Sequence, residues 1–191
     1  MTDLMRYAAA LEKPDNQTLP PVEKWNPDYC GELDLIIKRD GLWIHEGTPI
    51  GRARLVKLFS TILRREENDY FLVTPVEKLG ITVEDAPFTA VLMRRESTGD
   101  GQRLIFTTNV GEEIIAGPDH AIEMRINSET GDEAPYIHVR RGLDALIVRA
   151  VFYDLAALGE VHDVNGAEMF GVWSDGEFFP LGSAEAIMGA T

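Results

Sequence analysis

A single cysteine, Cys30, stands in 191 residues, so no internal disulfide can form, and a reducing cytoplasm is the expected home. Long apolar runs are also missing: none approaches the roughly 20 residues that a membrane-spanning helix needs. The opening Met1-Thr2-Asp3-Leu4-Met5-Arg6-Tyr7 lacks the basic-then-apolar order of a secretory signal, so the sequon Asn16-Gln17-Thr18 has no expected role. Positive charge is scarce. Lys and Arg number 18 against 32 Asp and Glu, which leaves a net charge of −14 and a pI near 4.6. That field repels phosphate backbones and anionic lipid, so nucleic-acid polymers and membrane surfaces are not expected partners. The chain has no Gly-x-x-x-x-Gly-Lys, no Gly-x-Gly-x-x-Gly, no Cys-x-x-Cys and no pair of histidines at helical spacing. Without these, no phosphate loop, dinucleotide-binding turn or zinc centre is expected, and no cofactor is implied.

What is present is ordinary globular composition, with 45% hydrophobic and 26% charged residues. The charge is uneven: residues 1–100 hold 13 bases and 17 acids, residues 101–191 hold 5 bases and 15 acids. An anion-binding surface is therefore sought in the first half, where a solvated helix face is the competing explanation of the bases.

Thr2 to Leu11 can form a short helix, and Pro14, Pro20, Pro21 and Pro27 make residues 12–29 an extended arm. Leu33, Leu35 and Ile37 alternate as in a strand, Asp40-Gly41 reads as a hairpin turn, and Leu42 to His45 returns. Gly51 to Glu66 is expected to be a helix, with Leu55, Val56, Leu58, Phe59, Ile62 and Leu63 on one arc and Arg54, Lys57, Thr61, Arg64 and Arg65 on the other. Tyr70 to Val73 is a short strand broken by Thr74-Pro75. From Ile81 the texture is strands: 81–83, 88–94, 104–108, 113–116, 122–126 and 136–140, with a hairpin loop at 97–101. Leu143 to Leu158 is apolar nearly all round and is expected to be a central helix. Asn165-Gly166 and Asp175-Gly176 mark two last hairpin turns, and Ala184 to Met188 a final helical turn.

Trp43-Ile44-His45 before the first helix matches Tyr136-Ile137-His138 before the second, and the same offset pairs Phe59 with Phe152. Asp40-Gly41-Leu42-Trp43-Ile44 is similar to Asp175-Gly176-Glu177-Phe178-Phe179. These matches point to a duplicated hairpin-plus-helix unit with a seam between the copies, and domain interfaces favour pockets.

Beyond these patterns, the segments Asp40 to Trp43, Gly47 to Arg52, Tyr70 to Lys78 and Val83 to Phe88 resemble a bacterial family of unknown function. Thr107-Thr108-Asn109, Ala116 to His120, Tyr136 to Arg140, Gly171 to Ser174 and Phe178 to Leu181 extend the resemblance over roughly residues 31–182. The resemblance implies a duplicated core and a C-terminal half that looks like a pleckstrin-homology domain. It also implies a nucleotide-like ligand at the domain interface and a role in signal transduction. It offers no catalytic residue to carry over.

Several constellations invite chemistry. His45 and His138 meet only if the two repeats face each other; otherwise they are satisfied histidines at strand ends. Ser174, in Gly171-Val172-Trp173-Ser174-Asp175-Gly176, misses a nucleophile elbow by one residue and sits where a turn would use it for backbone bonds. Gly47 to Arg52 leads into a helix N-terminus, where free N–H groups favour anions. Arg52 falls on the buried side of that helix, so it either pairs with Glu77, Glu84 or Asp85 or waits for a ligand anion. Trp43 and Phe178, in the two Asp-Gly hairpins, are core residues or stacking platforms.

Together these readings give an α+β protein with a duplicated hairpin-plus-helix core. Its expected parts are an arm at 1–30, an α+β domain at 31–80 and a strand-rich domain at 81–191 closed by a central helix. The expected function is non-enzymatic and regulatory: a small anionic, nucleotide-like ligand held in the seam by Trp43, Arg52, Lys78, Asn109, His138 and Arg140. The alternatives are a protein-interaction module using the basic helix face 54–65, and an enzyme without a recognisable catalytic motif.

Overall fold

The structure, a computed structural model, describes residues 19–99, 101–126 and 131–188. The helix expected over residues 2–11 and the first part of the arm lie outside these residues. The chain divides into two compact units, one running through Asp85 and the other beginning at Ala86.

In the first unit a 3₁₀ turn at Val22–Lys24 precedes β1 (Tyr29–Ile37), β2 (Trp43–His45), β3 (Thr48–Pro49), α1 (Ala53–Ser60), β4 (Leu63–Glu66), β5 (Asp69–Val73) and β6 (Lys78–Val83). The strands make one six-stranded sheet in the order β3-β2-β1-β6-β5-β4. Every neighbouring pair is antiparallel except β1 and β6, which are parallel. Leu35, Ile37, Trp43, Phe59, Ile62, Leu63, Leu72 and Val73 are buried as its core.

The helix expected over 51–66 ends at Ser60. Ser60 Oγ donates to Lys57 O and Thr61 Oγ1 to Leu58 O, both at 2.7 Å, so the last carbonyls are claimed by side chains. Ile62 and Leu63 then follow into a hairpin, in which Leu63 pairs with Leu72 and Glu66 with Asp69. The 3.6-residue pattern persisted past Ser60 because Ile62, in the turn, and Leu63, at the strand start, are both buried and happen to extend the apolar arc. Arg64 and Arg65 consequently lie on a strand, and only Arg54 and Lys57 of the expected basic face belong to the helix.

The second unit contains β7 (Phe88–Thr98), β8 (Gly101–Thr108), β9 (Glu113–Ile115), β10 (Ile122–Ile126), β11 (Glu133–Arg140) and β12 (Leu143–Ile147). These are followed by α2 (Arg149–Ala156), β13 (Glu160–Val164), β14 (Ala167–Ser174), β15 (Glu177–Ser183) and α3 (Ala184–Met188). β7 to β12 form a six-stranded sheet, β10-β11-β12-β7-β8-β9, and β13-β14-β15 form a separate three-stranded one. β14 and β15 pack against β8 and β10. The attachment is specific. Leu104 N donates to Ser174 Oγ at 2.9 Å, Ser174 Oγ donates to Ala116 O at 2.7 Å, and Gln102 Nε2 donates to Trp173 O at 2.9 Å.

The protein is mostly β, with 56% strand and 13% helix in three sheets, which overturns the expected α+β class and its central helix. The segment expected to be one long helix is a strand, Leu143–Ile147, followed by eight helical residues, Arg149–Ala156. A continuous apolar run does not distinguish a buried strand from a buried helix. β12 is flanked on both sides, antiparallel to β11 and parallel to β7, and such strands read as unbroken apolar sequence. α2 itself leaves Tyr153 57% exposed, so it covers the sheet rather than lying inside it.

The expected hairpin-plus-helix repeat is replaced by another correspondence. In each unit two three-stranded meanders meet through a parallel pair, the first strand of the first beside the last strand of the second: β1 with β6, β7 with β12. α1 lies between the two meanders of its unit, whereas α2 follows both of its own. Trp43 falls in β2 and Tyr136 in β11, which are not equivalent strands, and Asp175-Gly176 is a turn of the three-stranded sheet.

Candidate ligand-binding site

Among the described residues, a basin of about 320 Å³ lies on the first sheet, over β1, β6 and β5. Its floor follows from register. Glu32 pairs with Gly80 and Gly80 with Phe71, so these three residues cross the sheet in one row, and Tyr29 pairs with Lys78 in the next. Residues three apart on a regular strand face opposite sides, yet Tyr29 and Glu32 both face the basin. The register slips between them, and Gly31 sits in the bulge at φ 109°, a conformation costly for any residue with a Cβ. Gly80 supplies the depth: a Cβ there would lie 2.2 Å from Glu32 Oε1, so the carboxylate occupies the space a side chain would take.

The walls combine aromatic rings and charges. The Tyr29 ring meets Phe71 edge-on at 6.3 Å, and the Lys78 ammonium lies 4.9 Å from the Phe71 centroid. Tyr29 donates its hydroxyl to Glu32, and that bond holds the phenol above its usual pKa, since ionisation would set two anions side by side. Lys78 Nζ donates to Glu66 Oε2 at 3.0 Å, and Arg64 also binds Glu66. Lys78 first and Arg64 second hold the Glu66 carboxyl below its ordinary pKa. Arg64 donates as well to Trp25 O at 2.6 Å and Val22 O at 3.2 Å, which ties the 3₁₀ turn to the sheet. Asp69, exposed at the start of β5, completes the rim.

Of the residues expected at a site, only Lys78 lines this basin. Trp43 is 1% exposed, and its Nε1 has no hydrogen-bond partner among the described residues, so it belongs to the core and offers no stacking face. Arg52 is the exposed N-cap residue of α1 rather than a buried base. Two of the three carboxylates expected to pair with it are engaged elsewhere: Lys38 binds Glu84, and Arg39 lies 3.2 Å from Asp85.

Asn109 and Arg140 come together in the second unit around Phe88 and Thr89. Thr89 N donates to Asn109 Oδ1 at 3.2 Å, and the Arg140 guanidinium lies 5.0 Å from the Phe88 centroid and binds Glu112. Burial lowers the Arg140 pKa, opposed by Glu112. His138 lies two residues earlier on β11. Its Nδ1 is 3.0 Å from Asp144 Oδ1, and Arg125 donates to Asp144 Oδ2 at 2.9 Å. Because a carboxylate only accepts, His138 Nδ1 carries the proton. Burial of Arg125 opposes its charge, and the Asp144 and Glu123 carboxylates together outweigh it, leaving the pKa raised. His45 lies half-buried on β2 of the first unit.

Sequence reasoning missed Tyr29, Glu32, Asp69, Phe71 and Gly80. The spacing of Tyr29 and Glu32 places them on opposite faces unless the bulge is known, and a lone Gly31 does not announce one. Asp69 and Phe71 carried a usable signal, since they alternate on a strand that starts just after the Glu67-Asn68 turn.

The two units correspond to two matched family models. Residues 20–86 match the N-terminal domain of unknown function DUF1285, and residues 87–181 match the C-terminal domain of the same family. The chain belongs to the DUF1285 family. It is similar to the crystal structure of a DUF1285 family protein from Silicibacter pomeroyi DSS-3, at 48% identity over 97% of each chain with a TM-score of 0.87. A second DUF1285 family protein, from Shewanella baltica OS155, is 30% identical over 64% of this chain and 89% of its own, with a TM-score of 0.50. No protein of curated function matches.

Proposed function

We propose that the protein is a non-enzymatic regulatory protein that binds a small ligand in the basin over β1, β6 and β5, as part of a signalling response in the cytoplasm. The observation that carries this reading is a concavity of about 320 Å³ with aromatic walls and a few convergent polar groups, the usual make-up of a small-molecule site. Its charges refine the ligand. Glu32 and Asp69 line it beside a single cation, Lys78, whose ammonium is already bound to Glu66. A phosphate would have to displace Glu66 and sit beside two further carboxylates. A ligand with a cationic or hydrogen-bond-donating head and a flat apolar body suits the basin better than the small anionic, nucleotide-like ligand expected from the sequence and its family resemblance. Binding without chemistry is supported by the engagement of the reactive side chains: Ser174 is fully buried between two backbone groups, and His138 is held by Asp144. The exposed thiol of Cys30 suits a reducing compartment, and no helix among the described residues is long and apolar enough to cross a membrane.

A thermal-shift panel of ammonium and guanidinium compounds beside nucleotides tests this. A cationic compound at a hundredfold excess over its Kd should stabilise by about 2.7 kcal/mol, roughly a 5–10 °C rise, and the rise should vanish in Glu32→Gln/Asp69→Asn. A rise with nucleotides alone, lost on Lys78→Ala, would restore the anionic ligand; no rise with any compound would remove the basin as a site.

A further inference from the structure

The three-stranded sheet ends in an edge that lacks the usual protection. Natural sheets guard such edges with lysine, proline, bulges, very short strands or a covering element. The other edges use these devices. β3 is two residues long and holds Pro49, and β9 is three residues long. The 3₁₀ turn covers β4, while β10 and β15 pack on each other and β15 holds Pro180. β13 has none of these among the described residues; its one guard is negative charge, from Glu160 and Asp163, which turns away acidic strands and not basic ones. Among the described residues it pairs with β14 alone, in unbroken register from Glu160↔Gly171 to Val164↔Ala167. Its first four residues are exposed, Val161 by 43%.

The chemistry of this edge is one-sided. Residues 150–191 contain no lysine or arginine, while Asp154, Glu160, Asp163, Glu168, Asp175, Glu177 and Glu185 all carry negative charge. Glu160 and His162 share one face of β13; Val161 and Asp163 share the other. Behind His162 stands an aromatic cluster. Its ring lies 5.0 Å from both Trp173 and Phe178, which are 5.3 Å from each other, and Trp173 Nε1 donates to Glu160 Oε1 at 2.9 Å. An incoming strand would therefore meet open main-chain groups, carboxylates on both faces and an aromatic platform that favours cations.

We propose that β13 is a strand-addition site for an extended, positively charged segment of a partner protein. Charge complementarity selects that occupant. A second copy of this chain would bring the same carboxylates into register with themselves, against a net charge of −14. The site is independent of the basin, which lies in the other unit.

The test uses the whole chain and two short peptide probes, one alternating Lys and Val and one alternating Glu and Val. The Lys peptide should bind, slow hydrogen exchange at alternate amides of residues 160–164, and weaken steeply as salt rises. Glu160→Gln/Asp163→Asn/Glu168→Gln keeps every side-chain shape and should weaken binding at least tenfold. Three results would each overturn the proposal: equal binding of both peptides, Lys-peptide binding with unchanged exchange over 160–164, or affinity that survives the triple neutralisation. Protection of 160–164 by self-association without peptide, seen as a dimer in sedimentation, would overturn it in favour of a second copy.

Discussion

Replacing Ser174 with alanine removes one oxygen atom and should still be among the costliest small changes available in the second unit. Ser174, Leu104 and Ala116 are each 0% exposed. The hydroxyl accepts from Leu104 N–H and donates to Ala116 C=O. Alanine leaves both main-chain groups without that partner in a place water does not reach. An unsatisfied buried polar group costs about 1–3 kcal/mol, so losing two partners should cost about 2–6 kcal/mol, while the lost volume adds almost nothing. The neighbouring Arg103–Asp175 pair, at 2.7 Å with side chains 45% and 38% exposed, provides the contrast. An exposed ion pair contributes under about 1 kcal/mol, so Asp175→Asn should be nearly silent. Urea unfolding followed by Trp173 fluorescence isolates the second unit once Trp25 and Trp43 are replaced by Phe in the common background. A loss below about 0.5 kcal/mol for Ser174→Ala, or equal losses for the two variants, would refute the claim that a buried hydroxyl fastens the three-stranded sheet to β8.

Three further outcomes follow from the same contacts. Arg64→Ala should cost about 1–3 kcal/mol by freeing Val22 O and Trp25 O, whereas Arg54→Ala, exposed on α1, should change the urea midpoint by under about 0.5 kcal/mol. Glu66 has a lowered pKa when folded, so the unfolded chain takes up its proton first. Its contribution is complete above about pH 4.5 and fades as pH falls through the lower folded value, and Glu66→Gln should flatten that acid limb in stability-versus-pH measurements. Gly171→Ala places a Cβ 2.3 Å from Phe179 O and 2.9 Å from Pro180 Cα. Backbone atoms cannot step aside as a flexible side chain can, so a loss of about 1–3 kcal/mol is expected in the same urea assay.

Turns were the most legible part of the fold. Asp40-Gly41, Asn165-Gly166 and Asp175-Gly176 are all hairpin turns as expected, because the positive φ of such turns is a local demand that composition displays. Helices were the least legible. Residues 63–66 and 143–147 are strands, the second buried on both faces, and a short apolar run carries no marker of its period. The site was harder still. Lys78 is a base in the Tyr70 to Lys78 segment that carries the resemblance, but its partners depend on a bulge at Gly31 and on pairing of residues 29–32 with 78–80, which no local pattern reveals. Trp43 and Arg52 show the opposite failure. An aromatic ring in a hairpin and a base at a helix start have site-like chemistry, and only burial assigns one to the core and the other to the exterior.

The parallel pair at the middle of each six-stranded sheet has a consequence for synthesis on the ribosome. Ile36 has no neighbour on that side until Thr82 exists, and Phe88 must wait for Ala145. Both central seams join residues far apart in sequence, so loop closure has to precede the contacts that reward it, and folding should be slow for a chain of this length. The meanders themselves are local and can gather early as loose three-stranded fragments with open inner edges. The first unit can close its seam as soon as Val83 has emerged from the exit tunnel, before much of the second has been made. Pauses in translation just beyond that point would let one sheet lock before a second set of unpaired edges appears beside it.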